Sequence, residues 1–586
     1  MTPPCTRRRI LLLTHAFNGL AQRLFVDLRA AGHTVSVELD IADTVTAEAV
    51  ALFDPDLVLA PFLKRAIPDS VWRHRLCLVV HPGPPGDRGP SALDHAVLEG
   101  QRDWGVTVLQ ATAEFDAGPV WAWQPCTLRA GATKASLYRH EVVQAAVGAV
   151  QAALARWQPG RMEPRAAALL PFPAARGWRS LVRADERAVD WKQHDAAEVQ
   201  RRVHSADGFP GARGTLFGQT CALFDVHPAS VAVQAQAAPA APGTVLARRG
   251  AALLVRCAEG AVWLGHVRRE GHLKLAAIDA FAASAAALPE WPLPLPHDDD
   301  EWDELRYVEF GPPHAAVGWL EFDFHNGAMS ERQAARLVQA LQHVRSRPAR
   351  VLVLAGGADF FSNGIHLHAI EAAGLRDGDS AADASMRSIE AIDDAVLQIL
   401  TLTGCLTIAA LRGNAGAGGC FLALAADRVW AHEGVVLNPH YKNMGNLYGS
   451  EYWTYRLPQR VGEAGARALM QGRLPMGAVE AARQGLIDGA FGHDADDFVR
   501  QLLPRALALA ADPALPAQLQ AKQQHRAADE AMKPLAVWRA EELARMRHNF
   551  HGFDPSYHVA RHHFVHRKPH ARTPRHLALH RQPPAR

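Results

Sequence analysis

Cysteine is scarce in this chain. Seven occur in 586 residues: Cys5, Cys77, Cys126, Cys221, Cys257, Cys405 and Cys420, odd in number, scattered, and never in CxxC spacing. That pattern argues against a disulfide framework or a zinc ribbon and fits a reducing compartment. Charge of one sign is also lacking: 62 Lys and Arg against 60 Asp and Glu leave a net +2 with histidine neutral, so no overall field draws the chain to nucleic acid or to an anionic membrane. Long hydrophobic runs are missing too. The basic Arg7 to Arg9 is followed only by the short apolar run of residues 10–13, too short for the core of a signal peptide, and no window approaches the roughly 18 uninterrupted apolar residues of a membrane span. Together these absences predict a soluble, cytoplasmic protein with neither a nucleic-acid nor a membrane partner. No internal repeat at solenoid period is visible.

What is present is ordinary globular material, 48% hydrophobic and 21% charged, in a chain too long for one core. Several domains of roughly 100 to 200 residues are expected. From Arg9 to about Ala60 an apolar strand, a helix with Leu20, Leu24 and Leu28 on one face, a turn at Gly32 and two further strands alternate, the pattern of a doubly wound α/β sheet whose ligands sit at the carboxyl ends of its strands. A Pro-rich break at 170–174 closes this unit, giving boundaries at 1–172 and 173–288, the second a small β-rich domain. The segment PEWPLPLPHDDDEWD, within 289–312, reads as a Pro/acidic linker. A second α/β unit, with a helix from Ser330 as N-cap, covers 313–496; 497–568 reads as helical, and 569–586, polar and rich in Pro and His, as a frayed tail.

Two constellations carry chemistry. In VVHPGPPGDRGPSALD a histidine, His81, ends an apolar strand and opens a Pro/Gly loop carrying Arg88; in LQATAEFDAGPVWA a second strand ends at Asp116. An Asp that fixes an imidazole which shuttles a proton suits acyl transfer, and a buried polar pair holding a turn is the structural alternative. In the second half, LAGGADFFSNGIHL and LRGNAGAGGCFLALAAD are strands running into Gly-rich loops at helix starts, where backbone NH groups can stabilise an oxyanion. LNPHYKNMGNLYGSEYW then offers Tyr441 and Glu451, a phenol and a carboxyl group able to divide acid and base roles. The alternative is that Tyr441 packs and Glu451 pairs with Arg456.

The first constellation, with AVDWKQHDAAEVQRRVHSADGFPGA after it, resembles the folate-dependent formyltransferases over about the first 290 residues. The resemblance implies an OB-like second domain, 10-formyltetrahydrofolate as formyl donor, and His81 and Asp116 as the catalytic pair. It departs at Val79, where that family carries an Asn donor to the tetrahedral oxyanion; losing one such donor costs about 100- to 1000-fold. Asn18 and Gln22 are the nearest substitutes, with capping of a helix as their structural alternative. The second constellation resembles the crotonase (enoyl-CoA hydratase/isomerase) superfamily over about 315–495, which implies a coenzyme A thioester with its carbonyl oxygen on the NH groups of Ile365 and Gly418. Phe421 and His440 stand where hydration needs carboxylates, so double-bond hydration is not expected.

The fusion of these halves, including THAFNGLAQRL and NFHGFDPSYHVARHHF, resembles a family of [NiFe]-hydrogenase maturation factors. That resemblance implies transfer of formyl from the folate to coenzyme A, decarbonylation of formyl-CoA to CO and CoA, and transient contact with hydrogenase maturation proteins or the hydrogenase large subunit. It also implies Gln22, Arg139, Ser205 and Arg561 as residues holding CoA, Arg139 and Arg561 being equally readable as solvated charges. The alternatives are an amine formyltransferase with a regulatory CoA-binding crotonase half, and a non-catalytic maturation scaffold. His558, His562, His563 and His566 include an i, i+4 pair, but with no carboxylate or Cys partner in a motif they read as surface histidines, and no metal is expected.

Overall fold

The structure, a computed structural model, describes residues 7–157, 177–292, 294–295 and 301–582. The break expected at 170–174, and the boundary at 172/173 with it, lies outside the described residues. The chain forms two compact units, Met1–Val226 with Pro569–Arg586, and His227–Lys568. The cut falls inside the region expected to be one small β domain.

The first unit is built on a six-stranded sheet. Strands β1 (Arg9–Thr14), β2 (Thr34–Leu39), β3 (Leu57–Phe62) and β4 (Cys77–His81) are parallel in the order β2-β1-β3-β4, and the strands Asp103–Gln110 and Val120–Thr127 add antiparallel to the β4 edge. Ile10, Leu11, Leu12 and Leu13 are all buried, because a parallel strand covered on both faces needs an unbroken apolar run rather than alternation. Helix α1 (Gly19–Ala30) buries Leu20, Ala21, Leu24, Phe25 and Leu28 along one stripe. After this sheet comes an antiparallel hairpin, Ala212–Leu216 with Gln219–Pro228, turning through Phe217 and Gly218 at positive φ.

The tail expected to fray is instead docked on the same unit. Val37 N–H donates to the Leu577 carbonyl at 3.0 Å, Leu39 N–H to Thr573 Oγ1 at 2.8 Å, and the fully buried Glu38 takes His580 at 2.7 Å, Arg581 at 2.9 Å and the Thr573 hydroxyl. The physical reason is that β2 is the edge strand of the sheet, so its unpaired backbone groups and one buried carboxylate find their partners in a distant segment of chain.

In the second unit the strands Val245–Arg249, Ala252–Arg256, Ala261–Arg269 and Lys274–Ala276 run antiparallel. The Pro/acidic stretch is a linker over less of its length than expected. Glu301 is buried, accepting from Ser230 N–H at 3.0 Å, Arg249 at 3.1 Å and the Trp263 indole; Asp303 and Glu304 hold Arg336 at 2.7 and 3.2 Å; and Leu305–Phe310 is a strand. Carboxylates that would be solvated in an isolated linker are here matched to guanidinium groups supplied by neighbouring elements.

The crotonase-like part contains a six-stranded and a four-stranded sheet. The first runs Leu305–Phe310, Val317–Phe322, Val351–Gly356, Leu406–Leu411, Arg428–Ala431, Gly489–Ala490, parallel after its first pair. The second runs Phe360–Ser362, Asn414–Gly416, Val436–Asn438, Met476–Gly477. Each of three consecutive long strands turns a corner into a short strand of the second sheet, and the loops after those short strands carry the chemistry.

Candidate active sites

In the first unit His81, at the carboxyl end of β4, is buried with its two ring nitrogens facing different carboxylates. Nε2 lies 2.9 Å from Asp87 Oδ1, and Nδ1 lies 3.5 Å from Asp116 Oδ1. Asp116, at φ 53°, accepts the Gly89 amide at 3.0 Å through its other oxygen. The sequence reading paired His81 with Asp116 and missed Asp87. The signal was its place inside the same Pro/Gly loop, six residues after the histidine. Asp87 is buried with Oδ2 lacking a hydrogen-bond partner, so its charge is committed to the imidazole. An imidazole between two carboxylates can take a proton at one nitrogen while the other holds the ring in place.

The surrounding candidates divide. Asn18 caps α1, its Oδ1 accepting Ala21 N–H at 3.0 Å while its amide donates to the Tyr138 hydroxyl at 3.4 Å, and Gln22 donates to the Phe17 carbonyl at 2.9 Å. The capping alternative is therefore what the structure shows for Asn18. Arg88 pairs with Glu114 at 2.7 Å. Arg139 lies in the widened turn Tyr138–Val142, next to the half-buried Tyr138, whose phenol is pushed up to about 12 by desolvation. Ser205 is fully buried and donates to the Arg202 carbonyl at 2.8 Å at the end of its helix.

In the second unit the two Gly-rich loops and the Tyr441–Glu451 segment converge. Gly364 and Ile365 pair with Ala328 and Met329, and a Cβ on Gly364 would lie 3.5 Å from the Gly418 amide nitrogen, so the two loops that could supply an oxyanion hole lie side by side. A Cβ on Gly418 would strike the Glu451 carboxylate. Glu451 accepts from the Tyr441 hydroxyl and, at 3.2 Å, from Ser450 N–H, while the Tyr441 ring stacks on Phe421 at 5.3 Å. Phe421 thus forms a wall for the phenol, and His440, next to Tyr441 in the chain, is buried. Arg456 donates to the Leu424 and Ala426 carbonyls, so the Glu451–Arg456 pairing offered as an alternative does not form.

Burial pushes the Tyr441 phenol well above its usual range, and the adjacent Glu451 charge adds to it. Burial likewise raises Glu451, against the lowering effect of the Tyr441 hydrogen bond. Two further buried carboxylates, not legible as site residues in the sequence, hold this segment. Asp393 accepts the Glu451 amide at 2.8 Å, and Glu542 accepts the Tyr452 and Thr454 amides at 2.9 and 2.8 Å. They come from helices 58 and 90 residues away in sequence, a distance across which no local motif extends. Arg561 is buried, with Nε 2.8 Å from Glu371 and Nη1 2.8 Å from His558.

The comparisons match this geometry. The formyl transferase family model matches residues 37–152, the formyl transferase C-terminal domain 181–285, and the enoyl-CoA hydratase/isomerase model 317–551; the last runs on through the helices expected to be a separate extension. Hydrogenase maturation factor HoxX of Bradyrhizobium diazoefficiens is 51% identical over 558 residues, 94% of each chain. A methionyl-tRNA formyltransferase of Paraburkholderia phymatum is 28% identical over 36% of this chain and 62% of its own. The crystal structure of HypX from Aquifex aeolicus in complex with tetrahydrofolic acid superposes with a TM-score of 0.91 at 41% identity, covering 99% of this chain and 100% of that one. With formyltransferase and crotonase modules in one polypeptide, the chain belongs to the HypX/HoxX family of hydrogenase maturation factors.

Proposed function

We propose that the chain makes carbon monoxide for the active site of a [NiFe] hydrogenase by moving formyl from 10-formyltetrahydrofolate to coenzyme A and then decarbonylating formyl-CoA. The observation that carries this reading is the buried Tyr441–Glu451 pair against Gly418, an acid and a base beside the candidate oxyanion hole. The tetrahydrofolate in the Aquifex aeolicus relative supports the donor, and the crotonase-like loops support the thioester.

In the first step the CoA sulfur attacks the formyl carbon, its proton passes to His81, and the C–N10 bond breaks as His81 returns that proton to the leaving amine. Asp87 and Asp116 hold the ring and stabilise its charged form. In the second step the thioester oxygen sits on the Ile365 and Gly418 amides, Glu451 removes the hydrogen of the formyl carbon as a proton, the C–S bonding pair leaves on sulfur, and the Tyr441 hydroxyl protonates it, giving CO and free CoA; the proton on Glu451 then returns to the Tyr441 oxygen across their hydrogen bond. Burial makes Glu451 the stronger base, and burial of Tyr441 together with the adjacent Glu451 charge keeps the phenol protonated. Formyl is suited to this route because its carbonyl carbon carries a hydrogen; longer acyl groups have none to lose. Gln22, Arg139, Ser205 and Arg561 remain the proposed CoA contacts, Arg561 through the donors that Glu371 does not occupy. The product would go to hydrogenase maturation proteins or the hydrogenase large subunit.

Purified protein given 10-formyltetrahydrofolate and CoA should release CO in step with loss of the formyl donor, detected by CO binding to reduced haemoglobin. Formylation of an amine without CO would instead support the amine formyltransferase reading. Full hydrogenase maturation in cells by both His81→Ala and Tyr441→Phe would support the scaffold.

A further inference from the structure

The sequence offers His562 and His566 as an i, i+4 pair with no ligating partner nearby. The fold supplies one from 191 residues upstream: Glu371, in the helix Leu367–Ala373 that directly follows Ile365. His562 Nδ1 and His566 Nε2 both lie 3.0 Å from the same oxygen, Oε1 of Glu371. The helix Ser556–Val565 continues through His566, whose amide donates to the His562 carbonyl at 2.9 Å, so the two rings lie on one face, tilted by 37° with centroids 4.2 Å apart.

We propose that Glu371, His562 and His566 form a binding site for a divalent transition cation of the zinc class. Three ligand atoms lie within 4.8 Å of one another, a spread that small side-chain rotations bring to the roughly 2.0–2.2 Å metal–ligand distances of such an ion. The second carboxylate oxygen is independently fixed: Arg561 Nε donates to Oε2 at 2.8 Å and is itself held by His558. That is the arrangement of a metal-binding carboxylate, one oxygen facing the two imidazoles and the other oriented by an outer partner. Two imidazoles select against Ca2+ and Mg2+, which take oxygen ligands. Glu371 is nearly buried, while the side chains of His562 and His566 are 48% and 33% exposed, so an ion enters from solvent and keeps an open position toward it. Bound there, it ties the helix that follows the Ile365 loop to the last helix of the unit.

The test uses the full-length protein, stripped with a chelator and dialysed against micromolar Zn2+, with bound metal counted and Co2+ absorption recorded in parallel. Wild type and His563→Ala, which alters an exposed neighbour outside the cluster, should bind the same number of equivalents and show the same Zn2+-dependent rise in thermal midpoint. His562→Ala and His566→Ala should each bind one equivalent fewer and lose that rise. Equal stoichiometry and equal midpoint shifts in all four proteins would overturn the site and leave an ion-pair cluster around Glu371. Both histidines are solvent-accessible, so their removal leaves the fold testable.

Discussion

Glu451 and Tyr452 are consecutive residues at φ 63° and 56°, a left-handed conformation that costs a non-glycine residue ~1 to 3 kcal/mol. The cost is offset by Asp393 and Glu542, which take the amides of both residues and of Thr454, so the strained turn aims the Glu451 carboxylate at Tyr441. Burial pushes the Glu542 carboxyl from the ordinary 4.5 up to about 8. The folded chain therefore keeps a proton that the unfolded chain releases near 4.5. This contribution to stability is complete below that pH and is lost as pH rises toward 8, with a slope of at most ~1.4 kcal/mol per pH unit. Denaturant titrations between pH 5 and 8 should show the decline, and Glu542→Gln should flatten it while lowering kcat, because the Glu451 turn loses part of its support. Gly449 sits at φ 95°, and a Cβ there would enter the Tyr441 ring. Gly449→Ala should accordingly cut CO release by at least ~100-fold, measured at saturating substrate, with formyl transfer at His81 unchanged.

At the level of elements, the strands and helices of the first sheet were legible because buried parallel strands announce themselves as apolar runs; β1 and the Leu20, Leu24, Leu28 stripe fall where the pattern puts them. Elements whose role is set by a distant partner were not. The residues from Pro569 onward look polar and loose until Glu38 is seen beneath them, and Glu301, Asp303 and Glu304 look like solvated linker charges until Arg249 and Arg336 are placed. The same holds in the sites. His81, Asp116, Tyr441, Glu451 and the glycine loops carry local motifs; Asp87 was hidden in plain composition, and Asp393, Glu542 and Glu371 work across long separations. Deleting residues 569–586 should strip Glu38 of its partners and leave a buried charge, destabilising the first unit by ~3 to 5 kcal/mol. A fall in its unfolding midpoint, reversed in part by Glu38→Gln, is the expected result. Because hydrogen bonds from His580, Thr573 and Arg581 together outweigh burial and lower the Glu38 pKa, intact protein should lose this stabilisation as pH falls into the carboxylate range.

Across the whole molecule, one chain joins a histidine set between two aspartates to a phenol–carboxylate pair beside two glycine loops, and the proposed carrier between them is a thiol. The two steps are separable by supplying the intermediate. Formyl-CoA, given directly to purified variants without folate, should release CO with His81→Ala at the wild-type rate and with Tyr441→Phe at least ~100-fold more slowly. CO release from formyl-CoA that survives unchanged in Tyr441→Phe, or that fails in His81→Ala, would contradict the assignment of one step to each site.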